Sequence, residues 1–220
     1  SGAAVSMPGM MDTILNLGLN DEICEGLAQK TGNPRFAYDT YRRFLQMYGD
    51  VAQGLGNEKH ESVLADYKRA KKYNNDLQMK AEEWSEIVES YKNIFQPPLE
   101  PRVQLEKAIK AVFSSWQNPR AVRYRHFNDI PDNLGTAVIV QAMVFGNKGE
   151  TSGSGVAFTR DPATGEKKLY GEYLVNAEGE DVVAGIRTPQ NLHEFKMQNP
   201  QLFEQLFQMQ EKLEKHYRDM

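Results

Sequence analysis

The chain has 220 residues, 40% hydrophobic and 25% charged, the balance of a globular protein long enough to bury a core as one large domain or two small ones. Its 26 basic and 30 acidic residues leave a net charge of −4, which gives no support to unspecific nucleic-acid binding, because a polyanion is repelled on average. No apolar run approaches the roughly 20 residues that span a bilayer. The single Cys24 excludes an internal disulfide and a cysteine zinc site, and fits a reducing compartment.

In chain order, Ser1-Gly2-Ala3-Ala4-Val5 carries neither an initiator Met nor a signal-peptide pattern, and Met220 follows a helical pattern, so the sequence reads as a fragment of something longer. Pro8-Gly9 is a turn signal ringed by Met7, Met10 and Met11. These methionines read either as adaptable core filler or as a flexible cover over a planar ligand. Thr13 to Leu19 reads as a short strand. Asp21 is the expected cap of a helix through Cys24, Leu27 and Ala28 that stops near Gly32-Asn33-Pro34. A longer helix follows, with Phe36, Tyr41, Phe44, Leu45 and Tyr48 at helical spacing. Arg42 and Arg43 on it point about 100° apart, so at most one is expected to face inward.

Residues 53–57 are a break. A strongly charged helix or helix pair covers 58–95, with Lys68, Arg69, Lys71 and Lys72 bunched on what reads as a solvated face or a basic lid. The proline-rich 96–101 is a linker by composition. Residues 102–118 predict an amphipathic helix with Leu105, Ala108, Ile109, Val112, Phe113 and Trp116 on its apolar stripe, and an arginine-rich helix starts at Arg120. Leu202, Leu206, Met209 and Leu213 make a further stripe over 200–220.

The chemistry concentrates in 135–189. Thr136 to Phe145 alternates as a strand, with Val138, Val140 and Ala142 on one face. After the turn at 146–149 comes Thr151-Ser152-Gly153-Ser154-Gly155, where missing side chains let backbone N–H groups approach an anion such as phosphate. A turn over 161–165 leads to a strand over Leu169–Val175, followed by Glu178, Glu180 and Asp181, with Glu172 upstream. Glycines near a strand with carboxylates beyond suit nucleotide phosphates bridged by Mg²⁺. The same pattern fits an antiparallel meander whose glycines serve turns and whose acids face water.

The segments SGAAVSMPGMMDTILNLGLND at 1–21, GNPRFAYDTYRRFLQMYGDV at 32–51 and AVFSSWQNPRAVRYR at 111–125, with most of 135–189 and the closing Leu213 to Met220, resemble the nucleotide-binding domain of the pyruvate, phosphate dikinase family. Residues 52–100 match poorly. The resemblance implies an α+β fold: a partial ATP-grasp-like domain over 1–19 and 98–220, with a helical subdomain inserted over 20–97. It implies a linker strand at Gln141, Ala142, Met143 and Val144 along the purine edge, with Met143 giving a backbone N–H and packing on the ring. Ser152, Gly153, Ser154 and Gly155 would hold the β- and γ-phosphates, Arg43 would be a phosphate contact, and Glu172 and Glu180 would line the cleft.

By the same resemblance the intact enzyme converts ATP, phosphate and pyruvate to AMP, pyrophosphate and phosphoenolpyruvate, with Mg²⁺ accompanying ATP and a phosphohistidine relay. No catalytic residue is assigned within the chain, because His60, His126, His193 and His216 sit in no matching motif. Metal-binding acids, a glutamine and an arginine are expected beyond Met220, and a lysine and an arginine before Ser1. The partners expected are ATP and the phosphohistidine and pyruvate-binding domains, in a homodimer of the cytoplasm, plastid or glycosome, and the chain alone is expected to be inactive.

Overall fold

The computed structural model describes residues 2–185 and 187–218. They combine helices with one small antiparallel sheet, and the chain divides into two compact units, Ser1–Met143 and Val144–Met220.

The first unit is built on caps and apolar spacing. Asn20, one residue before the expected cap, accepts from the Ile23 N–H at 2.8 Å and starts α1 (Asp21–Thr31); Gly32 ends it with a left-handed φ of 63°. Asn33 then caps α2 (Pro34–Gln53), whose first position is a proline with no N–H to leave unpaired. α2 buries Phe36, Ala37, Tyr41, Phe44, Leu45 and Tyr48. It packs on α4 (Ala81–Lys92), which contributes Trp84, Ile87, Val88 and Tyr91, with α3 (Glu58–Lys71) beside it. The basic bunch on α3 is tied locally: Lys68 to Asp76 at 2.8 Å, Arg69 to Asp66 at 2.8 Å and Lys71 to Glu83 at 3.5 Å.

Arg42 and Arg43 of α2 are both buried, contrary to the expectation that at most one faces inward. Asp39, one turn back, takes Arg42 at 2.6 Å and Arg43 at 3.3 Å, and the Arg42 guanidinium also lies 4.8 Å over the Trp84 ring. One buried carboxylate at i−3 and i−4 thus draws in two neighbours whose Cβ atoms diverge.

The expected strand over Thr13–Leu19 does not form. Asn16 and Gly18 take φ of 62° and 100°, which breaks extension, while Ile14 and Leu17 still pack on the helical core. The side chain of Gln104 on α5 (Pro101–Ser114) fastens this turn. It accepts from the Gly18 N–H at 2.8 Å and donates to the Leu19 and Pro98 carbonyls at 2.9 and 2.7 Å. A second cluster joins Met7 and Met11 to Trp116, Ala121 and Ile130, so these two methionines are core filler. Met7-Pro8-Gly9-Met10 closes with Met10 N–H to Met7 C=O at 3.1 Å and Gly9 at φ 71°, the signature of a type II turn. α6 (Pro119–Phe127) supplies Arg125, stacked 4.2 Å over Trp116 and bonded to Asp132 at 2.6 Å.

The strand expected over Thr136–Phe145 is also absent. The backbone is free of helix and ladder there, and its one reciprocal pair joins Ala137 to Gly2, at 2.7 and 3.3 Å. A strand needs a continuous neighbour, and among the described residues none continues the pairing beyond Ala137.

The second unit is a meander, β1 (Gly153–Phe158), β2 (Tyr170–Val175) and β3 (Gln190–Asn191), in the order β1-β2-β3. The Asp161 carboxylate accepts from the Ala163 and Thr164 N–H groups and shapes the β1–β2 turn. α7 (Gly179–Val183) shares a small core of Leu174, Ala177 and Val182 with Val156. α8 (Leu192–Gln198) packs on the sheet at Tyr173, and α9 (Pro200–Tyr217) packs on α8.

Candidate functional site

The register of β1 on β2 pairs Gly153 with Val175, Gly155 with Tyr173 and Ala157 with Gly171. Alternation therefore gathers three glycines and an alanine on one face, with Ser154, Val156, Glu172 and Leu174 on the other. Tyr173 stands on the glycine face. Its ring meets Phe195 edge-on at 4.9 Å and its hydroxyl donates to Gln198 at 3.2 Å. Because glycines cannot fill the space between strand and helices, a cleft of about 350 Å³ opens there.

Ser152, Gly153, Ser154, Gly155 and Glu172 all border this cleft, opposite Leu192, Phe195, Asn199, Leu202 and Leu206 of α8 and α9, with Ser154 and Glu172 contributing backbone because their side chains stand on the other face of the sheet. Five of the sequence-derived residues therefore share one cavity. Glu180 stands on α7, which packs with β1 and β2 through the Val156–Leu174 cluster. Arg43, Gln141 and Met143 belong to the first unit, Arg43 buried beside Asp39, Gln141 exposed and Met143 half-buried.

The expected loop over Thr151–Gly155 is a turn followed by a strand. Ser152 Oγ lies 2.9 Å from the Gly146 carbonyl and 2.8 Å from that of Gly149, so its single proton is used inside the turn. Gly153 and Gly155 belong to β1. A Cβ on Gly153 would lie 2.6 Å from the Leu174 carbonyl oxygen, and one on Gly155 would lie 2.7 Å from that of Glu172. Close strand approach is thus one reason for glycine at both positions. Yet β1 is an edge strand, and outward N–H groups along Gly153–Gly155 remain possible donors.

Electrostatics limits what this cleft can hold. Glu150 lines it and, among the described residues, no cation does, so it favours a neutral, flat, hydrogen-bonding group over an isolated polyanion. Glu178 and Asp181, the other acids of the region, form a reciprocal capping box on α7, with the Glu178 N–H donating to Asp181 at 2.9 Å. Their close spacing is explained by helix initiation. Among the described residues no three His, Cys, Asp or Glu side chains gather as metal ligands, so the donor set present does not make a protein-built Mg²⁺ site. The residues of the cleft missed from sequence are Tyr173, Phe195 and Asn199. The T-shaped pairing of Tyr173 with Phe195 bridges 22 positions of sequence, and no local pattern announces it.

Over residues 2–220 the chain matches the family described as pyruvate phosphate dikinase, AMP/ATP-binding domain. The chain belongs to this family. It is 56% identical to a pyruvate, phosphate dikinase of Clostridium symbiosum, 54% to a chloroplastic one of Mesembryanthemum crystallinum and 52% to that of Rhizobium meliloti. Each comparison covers 100% of the chain but 26%, 24% and 26% of the relative, so the chain spans about a quarter of the length of these dikinases. The matched span includes the helical stretch 52–100, where the sequence resemblance is weakest. No helix among the described residues is long and apolar enough to cross a membrane.

Proposed function

We propose that the chain serves a pyruvate, phosphate dikinase by binding and presenting ATP, as part of an enzyme that converts ATP, phosphate and pyruvate to AMP, pyrophosphate and phosphoenolpyruvate. The observation that carries this reading is the family match from residue 2 to residue 220, into which the β1–β2 cleft falls. In this proposal the fold is the ATP-grasp-like portion over 1–19 and 98–220 with a helical insertion over 20–97. Within the first unit, Gln141 and Met143 are assigned to the purine edge and Arg43 to phosphate. Within the second, Ser154 and Glu172 share the sheet face beside α7 and are assigned, with Glu180, to the sugar or base, and the outward N–H groups of Gly153 and Gly155 to phosphate. Mg²⁺ enters on the nucleotide, consistent with an ion that keeps most of its waters and leans on phosphate oxygens. Phosphoryl transfer to a histidine, and from it to pyruvate, belongs to other domains of the enzyme, which works as a homodimer.

Calorimetric titration of the chain with a non-hydrolysable ATP analogue and Mg²⁺ tests this. Saturable binding is expected, weakened about tenfold by Glu172→Gln, since a hydrogen bond to a charged group contributes about 1.5–3 kcal/mol. Undiminished binding by Glu172→Gln would remove Glu172 from the site. No binding by the well-folded chain would remove the cleft as a sufficient site.

A further inference from the structure

At the far end of β1 the hairpin turn and the last turns of α9 enclose a shallow depression of about 770 Å³. Five cations line it: Arg160 and Lys167 from the hairpin, and Lys212, Lys215 and Arg218 from α9. Among the described residues Glu211 and Glu214 are the acids that line it. The described lining residues thus carry a local excess of three positive charges on a chain whose net charge is −4.

The floor of this depression is rigidly built. Glu214 is buried and ion-paired to Arg160, whose other arm donates to the Gly165 carbonyl at 3.1 Å. One turn earlier the buried Gln210 donates to the Thr159 carbonyl at 3.2 Å. Burial pushes the Glu214 carboxyl up, but the Thr159 hydroxyl and Arg160 outweigh it and hold the group below its usual range. It therefore stays charged and committed to Arg160. At the rim Lys167 meets Glu211 at 3.3 Å, both half-exposed. Lys212, Lys215 and Arg218 have no carboxylate within ion-pair distance among the described residues.

The helix dipole draws cations to the last turn of α9, which accounts in part for Lys215 and Arg218. It does not account for Arg160 and Lys167, which the hairpin brings to the same hollow. Like charges so gathered repel, and a compact multivalent anion relieves the repulsion. A guanidinium fork and mobile ammonium groups are the donors that phosphate oxygens accept. Among the described residues no aromatic or aliphatic residue lines the hollow, whose walls are the stems and heads of charged side chains. About ten residues of α9 separate its centre from Leu202 and Leu206, roughly 15 Å along the helix, so it is distinct from the β1–β2 cleft.

We propose that this hollow is a binding site for a multivalent phosphate oxyanion, free or at the end of a nucleotide. The probe is inorganic pyrophosphate, titrated into the 220-residue chain by calorimetry at a constant ionic strength of about 0.15 M, where unspecific attraction is screened within about 8 Å. Saturable binding with a Kd near or below about 1 mM is expected, weakened at least about tenfold in a Lys212→Ala, Lys215→Ala, Arg218→Ala triple variant. These three side chains are exposed, so the thermal unfolding midpoint of the variant should match the parent. ADP without metal is the second arm: competition with pyrophosphate assigns the hollow to nucleotide-borne phosphate, and its absence to the free oxyanion. No saturable binding to the parent, or equal affinity in the triple variant, overturns the proposal.

Discussion

His60 on α3 is fully buried, with its ring edge-on to Tyr91 at 4.7 Å and to Phe95 at 6.0 Å. Neither ring nitrogen makes a hydrogen bond of good geometry; burial lowers its pKa below 6.5, and the weak approach of the Gly56 backbone offsets this only in part. Above pH 6.5 folded and unfolded chains both carry it neutral. As pH falls through 6.5 the unfolded chain takes up the proton first, so stability drops until the lower folded pKa is passed. Urea midpoints should therefore decline from pH 7 towards pH 5, and His60→Leu should flatten that slope. An identical slope in the variant would place the effect elsewhere. Asp39 poses a charge problem of the opposite sign. Replacing it with Asn removes the carboxylate that Arg42 and Arg43 share, and leaves Arg42 with Gln46 at 3.3 Å and Asp76 at 3.8 Å. Breaking a buried ion pair on one side costs about 3–5 kcal/mol, so denaturant unfolding should show a loss of that order.

Among the elements, helices announce themselves through residues that act locally. Asn33-Pro34 and Gly54 bracket α2 because an Asn side chain satisfies an orphan N–H and glycine accepts φ of 68°. Strands depend on partners that the local sequence does not show. Thr136–Phe145 alternates as β1 does not, yet β1 forms a ladder and the former run does not. The glycines of β1 carried the site signal correctly to one cavity, while their place in a strand was hidden, because the oxygens of Leu174 and Glu172 that crowd them lie about 20 residues away. Gly155→Val tests this. Its Cβ would meet the Glu172 oxygen at 2.7 Å and the Tyr173 Cβ at 3.1 Å, so β1 must shift from β2. Overpacking of this kind costs about 1–3 kcal/mol, and differential scanning calorimetry should show it without any ligand. An unchanged unfolding midpoint would return Gly155 to a purely ligand-facing role.

For the molecule as a whole, the consequential feature is the run after Ala137, which lies outside helix and ladder. Ile139 is 65% exposed and Val140 61%, in a stretch of uncharged, β-branched residues without proline. Beyond the Gly2–Ala137 pair no ladder covers these N–H and C=O groups among the described residues. Exposed backbone outside any ladder, with apolar β-branched side chains, is a template for strand pairing, and a second copy of the same run is the nearest partner at high concentration. The weight-average mass in sedimentation velocity should therefore rise with concentration. Ile139→Lys should suppress the rise, because pairing two copies would bring lysines together and bury charge. The substitution lies outside the Gly2–Ala137 pair and both hydrophobic clusters of the first unit, so the fold should be unaffected by circular dichroism. A concentration-independent monomer for the unaltered chain would show that the run is guarded by its own backbone conformation.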